Sequence, residues 1–158
     1  MSELTQIQKD WLAALRSGDY KQGRYYLKII EGGQECYCCL GLATHMINPD
    51  ADELALMDIY EYQVSRGRQL KRATMQKLNI KYNNGRIFCI SRTFDNLIFR
   101  DEIKRLEFIQ RFKNCPYVSL TMLNDEKIMT FPEIADFIED NAKYIFTNIN
   151  EEYSENES

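Results

Sequence analysis

Residues 25–47 read YYLKIIEGGQECYCCLGLATHMI, and this stretch decides the fold class. Its first part, residues 25–30, is rich in aromatic and β-branched side chains, Gly32-Gly33 supplies a turn, and residues 35–38 can return as a partner strand. Residues 39–47 are largely apolar and stop just before a proline, which is typical of a buried helix. A hairpin followed directly by a buried helix predicts an α+β domain.

Outward from this stretch, most segments have helical patterns. Residues 4–15 carry apolar side chains at helical spacing, and Thr130-Phe131-Pro132-Glu133 is a capping box that begins a helix. Residues 52–62, 71–78 and 99–113 are also predicted to be helical, the last with an apolar stripe of Phe99, Ile103, Leu106, Ile109 and Phe112. A second hairpin is predicted around Asn83-Asn84-Gly85, between residues 80–82 and 86–90.

These segments together predict the organisation of the whole chain. We expect an α+β fold, mainly helical, with one or two small β-hairpins. Residues 1–149 are predicted to form a single globular domain, because 158 residues is close to the usual size of one domain. Residues 150–158 are acidic and polar and are predicted to be a disordered tail.

The longest uncharged stretch and the cysteine count indicate the cellular compartment of the protein. The longest uncharged stretch, residues 36–49, has 14 residues, fewer than the ~20 that a membrane-spanning helix needs. The chain has five cysteines, an odd number, so reduced thiols are simpler than a disulfide framework. We therefore expect a cytoplasmic protein without a membrane partner.

The net charge of -4 hides a strong segregation. Residues 64–113 carry 13 basic and 4 acidic groups, a net charge of +9, whereas residues 1–63 and 114–158 have net charges of -5 and -8. The basic middle is either a recognition surface for an anion or the partner of the acidic third within the fold.

Arginines and tyrosines cluster in and beside this basic middle. Guanidinium groups bind phosphate through paired donors, and aromatic rings stack on bases, so such a cluster suits a nucleotide. The candidate ligand-binding residues are Arg66, Arg68, Arg72, Arg86, Tyr60, Tyr62 and Tyr82. In the alternative, these arginines pair with Asp136, Glu139 and Asp140.

The cysteine cluster allows a catalytic interpretation that the spacing disfavours. Residues 34–41 resemble a papain-type entry, in which a glutamine precedes a cysteine at a helix N-terminus. His45, the single histidine, follows Cys38 by seven residues, about 10 Å along a helix, whereas a base needs ~2.6–3.2 Å. The thiols are interpreted as buried core groups. No catalytic residue, metal ligand or cofactor is assigned.

Four separated motifs carry a resemblance to a known group of proteins. They are WLAALRSGDYKQG at residues 11–23, YCCLGL at 37–42, LND at 123–125 and FPEIADFIE at 131–139. This ordered set resembles a family of small uncharacterised proteins of tailed phages and prophages. The resemblance implies phage or prophage origin and, by association, an accessory role exerted through binding.

The combined expectation is a phage accessory protein that counteracts host defence by binding an anionic nucleotide or an acidic host protein. One alternative is a nucleic-acid-binding protein, and a second is a cysteine-dependent hydrolase; binding is favoured over catalysis. The acidic flanks oppose long polyanions, so a small anion is preferred over nucleic acid. The sequence leaves open the identity of the ligand and the formation of a homo-oligomer.

Overall fold

The computed structural model describes residues 3–88 and 96–149, which fold as alternating helices and short strands. The helices are α1 (Gln6–Ser17), α2 (Cys39–Ile47), α3 (Arg72–Leu78), α4 (Glu102–Phe112), α5 (Leu120–Asp125), α6 (Phe131–Asp140) and α7 (Ala142–Ile145), with a 3₁₀ turn at Asp52–Leu54.

The strands form one mixed sheet and one small ribbon in this part of the chain. The strands are β1 (Lys21–Gln22), β2 (Lys28–Glu31), β3 (Gln34–Tyr37), β4 (Leu56–Ile59), β5 (Tyr62–Ser65), β6 (Arg86–Phe88) and β7 (Tyr117–Ser119). The sheet has the order β1-β3-β2-β5-β4, and only the β1–β3 pair is parallel. The ribbon joins β6 to β7.

The prediction of a mainly helical domain with one or two small hairpins is wrong. The β2–β3 hairpin is present, but it is the centre of a five-stranded sheet. Two-stranded hairpins are marginally stable in water, and further strands satisfy the backbone groups that an isolated pair leaves open. Here β1 and the β4–β5 pair supply those strands.

The helix predicted over residues 52–62 is also wrong. After the 3₁₀ turn, Leu56–Ile59 and Tyr62–Ser65 pair as an antiparallel hairpin, and β5 pairs with β2. Tyr60 begins its two-residue turn with φ 56, a conformation that usually calls for glycine or asparagine. Tyrosine is not typical of such turns, so no local pattern in the sequence indicated this hairpin.

The second predicted hairpin, residues 80–82 with 86–90, is replaced by longer-range pairing. Arg86–Phe88 pairs with Tyr117–Ser119, and Ile80 forms a bridge with Phe146. Residues 89–90 and the predicted tail at 150–158 lie outside the described residues. The turn predicted at Asn83-Asn84-Gly85 is present, but the strand that follows it, β6, pairs with the distant strand β7 and not with residues 80–82.

Helices with clear local start signals match their predictions. Thr130 begins α6 with a capping box, in which its backbone N–H and hydroxyl donate to Glu133 at 2.9 and 3.0 Å. Helices α1, α2 and α3 lie within two residues of their predicted bounds.

Helix α4 has the predicted type but a different buried face. Phe108 and Phe112 are 0% and 2% exposed, whereas Ile103 and Leu106 of the predicted stripe are 67% and 55% exposed. The helix also starts at Glu102, capped by Asp101, so Phe99 precedes it. The face that the helix buries was set by its packing against other elements.

The apolar spacing of residues 4–15 and 39–47 predicts that Trp11, Leu15, Leu40, Leu42 and Met46 belong to one core. The first four are buried in the core, whereas the prediction is wrong for Met46, which is 36% exposed. Gly41 allows α2 to approach the chain at Leu27, because a Cβ at Gly41 would overlap the Leu27 carbonyl.

Candidate functional site

The buried side chain of Asn124 joins segments that are far apart in the sequence. Its Oδ1 accepts from Gln22 Nε2 at 2.9 Å and from the Cys39 backbone N–H at 3.3 Å. Its Nδ2 donates to the Gly23 carbonyl at 2.7 Å and to Asp125 Oδ1 at 3.1 Å. Three of the four sequence motifs therefore meet at this one amide.

Gln22 extends this junction to a fourth segment. The same Nε2 donates to the Met129 carbonyl at 3.1 Å, just before the N-terminus of α6. Strand β1 is thereby held against the end of α5 and the start of α6. A buried polar network with its groups satisfied fixes one arrangement of the elements it joins.

An open cleft of about 520 Å³ lies beside this junction, and we name it the Asn124 cleft. Its wall comes from β1, β2, β5, α4 and the chain between α5 and α6. The polar and aromatic side chains that line it are Lys21, Gln22, Arg24, Tyr25, Glu31, Tyr62, Lys104, Asn124, Lys127, Thr130 and Glu133.

Positive charge in the cleft is largely uncompensated. Lys21, Arg24 and Lys127 form no ion pair with any described carboxylate. Lys104 differs, because its Nζ donates to the Ile128 carbonyl at 3.0 Å and lies 3.5 Å from Glu133. Three cations thus remain available to an incoming anion.

The two carboxylates of the cleft have different surroundings. The Glu133 carboxylate accepts a backbone hydrogen bond at the start of α6 and forms an ion pair with Lys104. Glu31 is exposed, and its contact within the described chain is the Cys36 thiol at 4.0 Å. Glu31 is therefore an acceptor that a ligand can use.

Two residues of the cleft have left-handed backbone. Tyr25 has φ 72 and Lys127 has φ 58, and non-glycine residues in this region are strained. The Tyr25 N–H donates to Asp125 Oδ1 at 2.8 Å, which holds this backbone in place. The side chain of Tyr25 is 60% exposed, with the Arg24 guanidinium 5.9 Å from its ring centroid, and that of Tyr62 is 57% exposed, so both present aromatic surface to the cleft.

The residues predicted to bind a ligand are spread over several elements. Tyr62 lines the Asn124 cleft, and Tyr60 lies at the β4–β5 turn, 97% exposed. Arg66 lines a different cleft, together with Asp52 and Glu53. Arg72 begins α3.

The other two arginines stack on tyrosines. The guanidinium of Arg68 lies 4.5 Å from the Tyr26 ring centroid and donates to its hydroxyl at 2.8 Å. Arg86 lies 4.4 Å from the Tyr82 ring and 5.3 Å from the Tyr117 ring. The structure brings Arg86 together with Tyr82, and convergence of the full predicted set stays a prediction.

The alternative pairing of these arginines with the acidic face of α6 is wrong. Asp136 and Glu139 accept from Arg16 at 2.8 and 2.6 Å. Arg100 contacts the same face and lies 2.8 Å from Asp140. Other residues of the basic middle do pair with the acidic third: among the described residues, Arg100 contacts Asp140, Lys104 contacts Glu133 and Arg111 contacts Glu126.

The cysteine segment is structural. Cys38 is the N-cap of α2, where its Sγ accepts from the Gly41 N–H at 3.3 Å. Burial raises the pKa of the Cys38 thiol to about 12 and that of Cys39 well above its ordinary value. The His45 ring contacts the Tyr37 hydroxyl at 3.4 Å. Neutral buried thiols disfavour nucleophilic catalysis.

Sequence reasoning missed most of the cleft. Lys21, Arg24 and Lys127 lie in the acidic thirds of the chain, where their charge is hidden by neighbouring carboxylates. The available signal was the motif set itself, because Lys21 and Gln22 lie in one motif and Asn124 lies in another.

Within the described part of the chain, no helix is long and apolar enough to cross a membrane. The same residues contain no group of three His, Cys, Asp or Glu side chains that could hold a metal ion.

Comparison with known proteins identifies a family. A family model described as "Domain of unknown function (DUF8296)" matches residues 4–142. No curated protein and no solved structure matches the chain.

Proposed function

The chain belongs to the DUF8296 family, whose description states no activity, and from the geometry of the Asn124 cleft we propose that it binds an anionic small molecule there. Lys21, Arg24 and Lys127 supply the positive charge. Tyr25 and Tyr62 supply the aromatic surface. The protein acts by holding this molecule.

The three cations without an ion-pair partner are the observation that carries the proposal. A cation already paired with a carboxylate offers little net field to a ligand, whereas these three retain their full charge. All three line the same concave surface. Contacts between an anion and several fixed donors are stronger than neutral hydrogen bonds.

Cleft size and backbone agree with a small ligand. A volume of about 520 Å³ falls in the usual range of ~300–1,000 Å³ for small-molecule sites. Strained backbone held by surrounding contacts is common in sites that are formed before the ligand arrives. Tyr25, held by Asp125, fits this description.

Charge favours a small anion over a nucleic acid strand. The cleft is part of a chain whose first and last thirds have net charges of -5 and -8, and these would repel a long polyanion. The accessory role in a phage or prophage remains part of the proposal and is supported by the motif resemblance.

Isothermal titration with inorganic pyrophosphate tests the proposal. The cleft variant carries Lys21→Ala, Arg24→Ala and Lys127→Ala, and a control carries Lys9→Ala, Arg105→Ala and Lys113→Ala, none of which lines the cleft. Both remove two lysines and one arginine, so their net charges are equal. We expect the cleft variant to bind at least about tenfold more weakly than wild type, equivalent to ~1.4 kcal/mol, and the control to match wild type.

Two results would overturn the proposal. One is a wild-type protein that binds no pyrophosphate at low salt. The other is an equal loss of affinity in both variants, because that would make net charge, and not the cleft, responsible. Thermal melts of all three proteins establish that each variant is folded.

A further inference from the structure

We infer that the anion of the Asn124 cleft is a nucleotide, with its base stacked on Tyr62 beside Glu31 and its phosphates held by Lys21, Arg24 and Lys127. This inference rests on the proposed anion-binding function and adds the chemical class of the ligand. It follows from how the sheet distributes aromatic, acidic and basic side chains.

Strand register brings Tyr62 and Glu31 together. In the β2–β5 ladder, Ile29 pairs with Val64 and Ile30 pairs with Gln63. The next step of an antiparallel ladder sets Glu31 opposite Tyr62, and opposed residues lie on the same face. Both line the cleft, so a ring stacked on Tyr62 has the Glu31 carboxylate at its edge.

The Glu31 carboxylate determines which kind of hydrogen-bonding group the stacked ring must carry. Glu31 is exposed and has no ion pair with a described cation, so it accepts hydrogen bonds and repels phosphate. A partner for it must be a donor on a flat ring. The exocyclic amino groups of adenine, guanine and cytosine are such donors, and inosine bases lack the adenine amino group.

Lys21, one of the three cations, lies well away from Tyr62 along the sheet. Lys21 is on β1 and Tyr62 is on β5, with β3 and β2 between them. Three interstrand spacings of ~4.8 Å place the two strands about 14 Å apart. A bare phosphate therefore cannot contact both Lys21 and Tyr62, whereas a nucleoside diphosphate has phosphates for the first and a base for the second.

Titrations with three probes test the inference: ADP, IDP and pyrophosphate, in buffer without divalent cations. ADP and IDP differ at two neighbouring ring positions. At position 6 ADP has an amino donor and IDP a carbonyl acceptor, and at N1 ADP has an acceptor and IDP an N–H donor. We expect ADP to bind at least about tenfold more tightly than IDP and than pyrophosphate, because a site that pairs with a donor rejects the analogue lacking it.

Variants assign the two contacts. Glu31→Gln, whose amide both donates and accepts, is expected to bring ADP and IDP within about threefold of each other. Tyr62→Ala is expected to weaken ADP about tenfold and leave pyrophosphate unchanged, whereas Tyr62→Phe keeps the stacking surface and the affinity.

The outcomes separate this inference from the function on which it rests. Equal affinity for ADP and pyrophosphate overturns the nucleotide assignment and leaves the anion-binding function standing. Equal affinity for ADP and IDP in the wild type overturns the pairing of Glu31 with the 6-amino group. Failure of all three probes to bind overturns both proposals.

Discussion

Cys38 performs a task that serine, threonine, asparagine or aspartate usually performs. Its side chain accepts the Gly41 N–H at the start of α2, while its own N–H donates to the Leu27 carbonyl at 3.2 Å. Gly41 must lack a side chain because the same carbonyl occupies that space. The YCCLG motif is therefore explained by the way α2 joins the sheet.

Replacement of Cys38 separates capping from packing. We expect Cys38→Ala to lower the free energy of unfolding by about 0.5–2 kcal/mol, because the Gly41 N–H loses its acceptor. Cys38→Ser keeps an acceptor and is expected to retain most of the stability. Urea denaturation of both variants measures the difference. A serine variant as unstable as the alanine variant would contradict the capping role.

At the scale of elements, α4 shows how packing selects a buried face. Phe108 lies within 5.0 Å of the Phe99 ring centroid, 5.1 Å of Phe112 and 5.9 Å of Phe137. This aromatic cluster joins α4 to α6. Leu106, on the same helix, remains in solvent.

Two substitutions on α4 are expected to differ strongly. Phe108→Ala opens a cavity in the aromatic cluster and is expected to lower the free energy of unfolding by about 3–5 kcal/mol. Leu106→Ala removes an exposed side chain and is expected to change it by less than about 0.5 kcal/mol. Chemical denaturation compares the two. Equal losses would mean that the helix buries the face predicted from the sequence.

At the scale of the whole molecule, buried acids make stability depend on alkaline pH. Burial raises the pKa of Cys36 and Cys39, and that of Cys38 to about 12 from its ordinary 9.0. Burial, together with the nearby Glu35 carboxylate, also raises the pKa of Tyr37 to about 12 from 10.0. In each case the folded state favours the protonated form.

We therefore expect stability to fall as pH rises above about 9. Between pH 9 and 12 the unfolded chain releases these protons while the folded chain keeps them, so the free energy of unfolding decreases with pH. Urea midpoints from pH 8 to 11 measure the decline. Cys38→Ser removes one of these acids, and its decline should be shallower. An identical slope in the variant would rule out a contribution from this thiol.

Whether an element could be predicted depended on whether its signals lie close together in the sequence. Helices α1 and α6 were predictable because their capping boxes and apolar spacing lie within a few residues of one another. Strand β6 was predicted, but with the wrong partner, because β7 follows about 30 residues later. Hairpin β4–β5 was missed because its turn uses Tyr60 in a conformation that tyrosine rarely adopts.

The sequence by itself determined where several helices begin, which residues around Trp11 and Leu40 are buried, and that the YCCLG motif is structural. Only the tertiary structure decided the five-stranded sheet and the Asn124 cleft. A capping box or an apolar stripe depends on neighbours in the chain, whereas strand pairing and a cleft depend on residues that folding alone brings together. The charges that line the cleft come from segments with a net negative charge, so their excess of cations exists only in three dimensions.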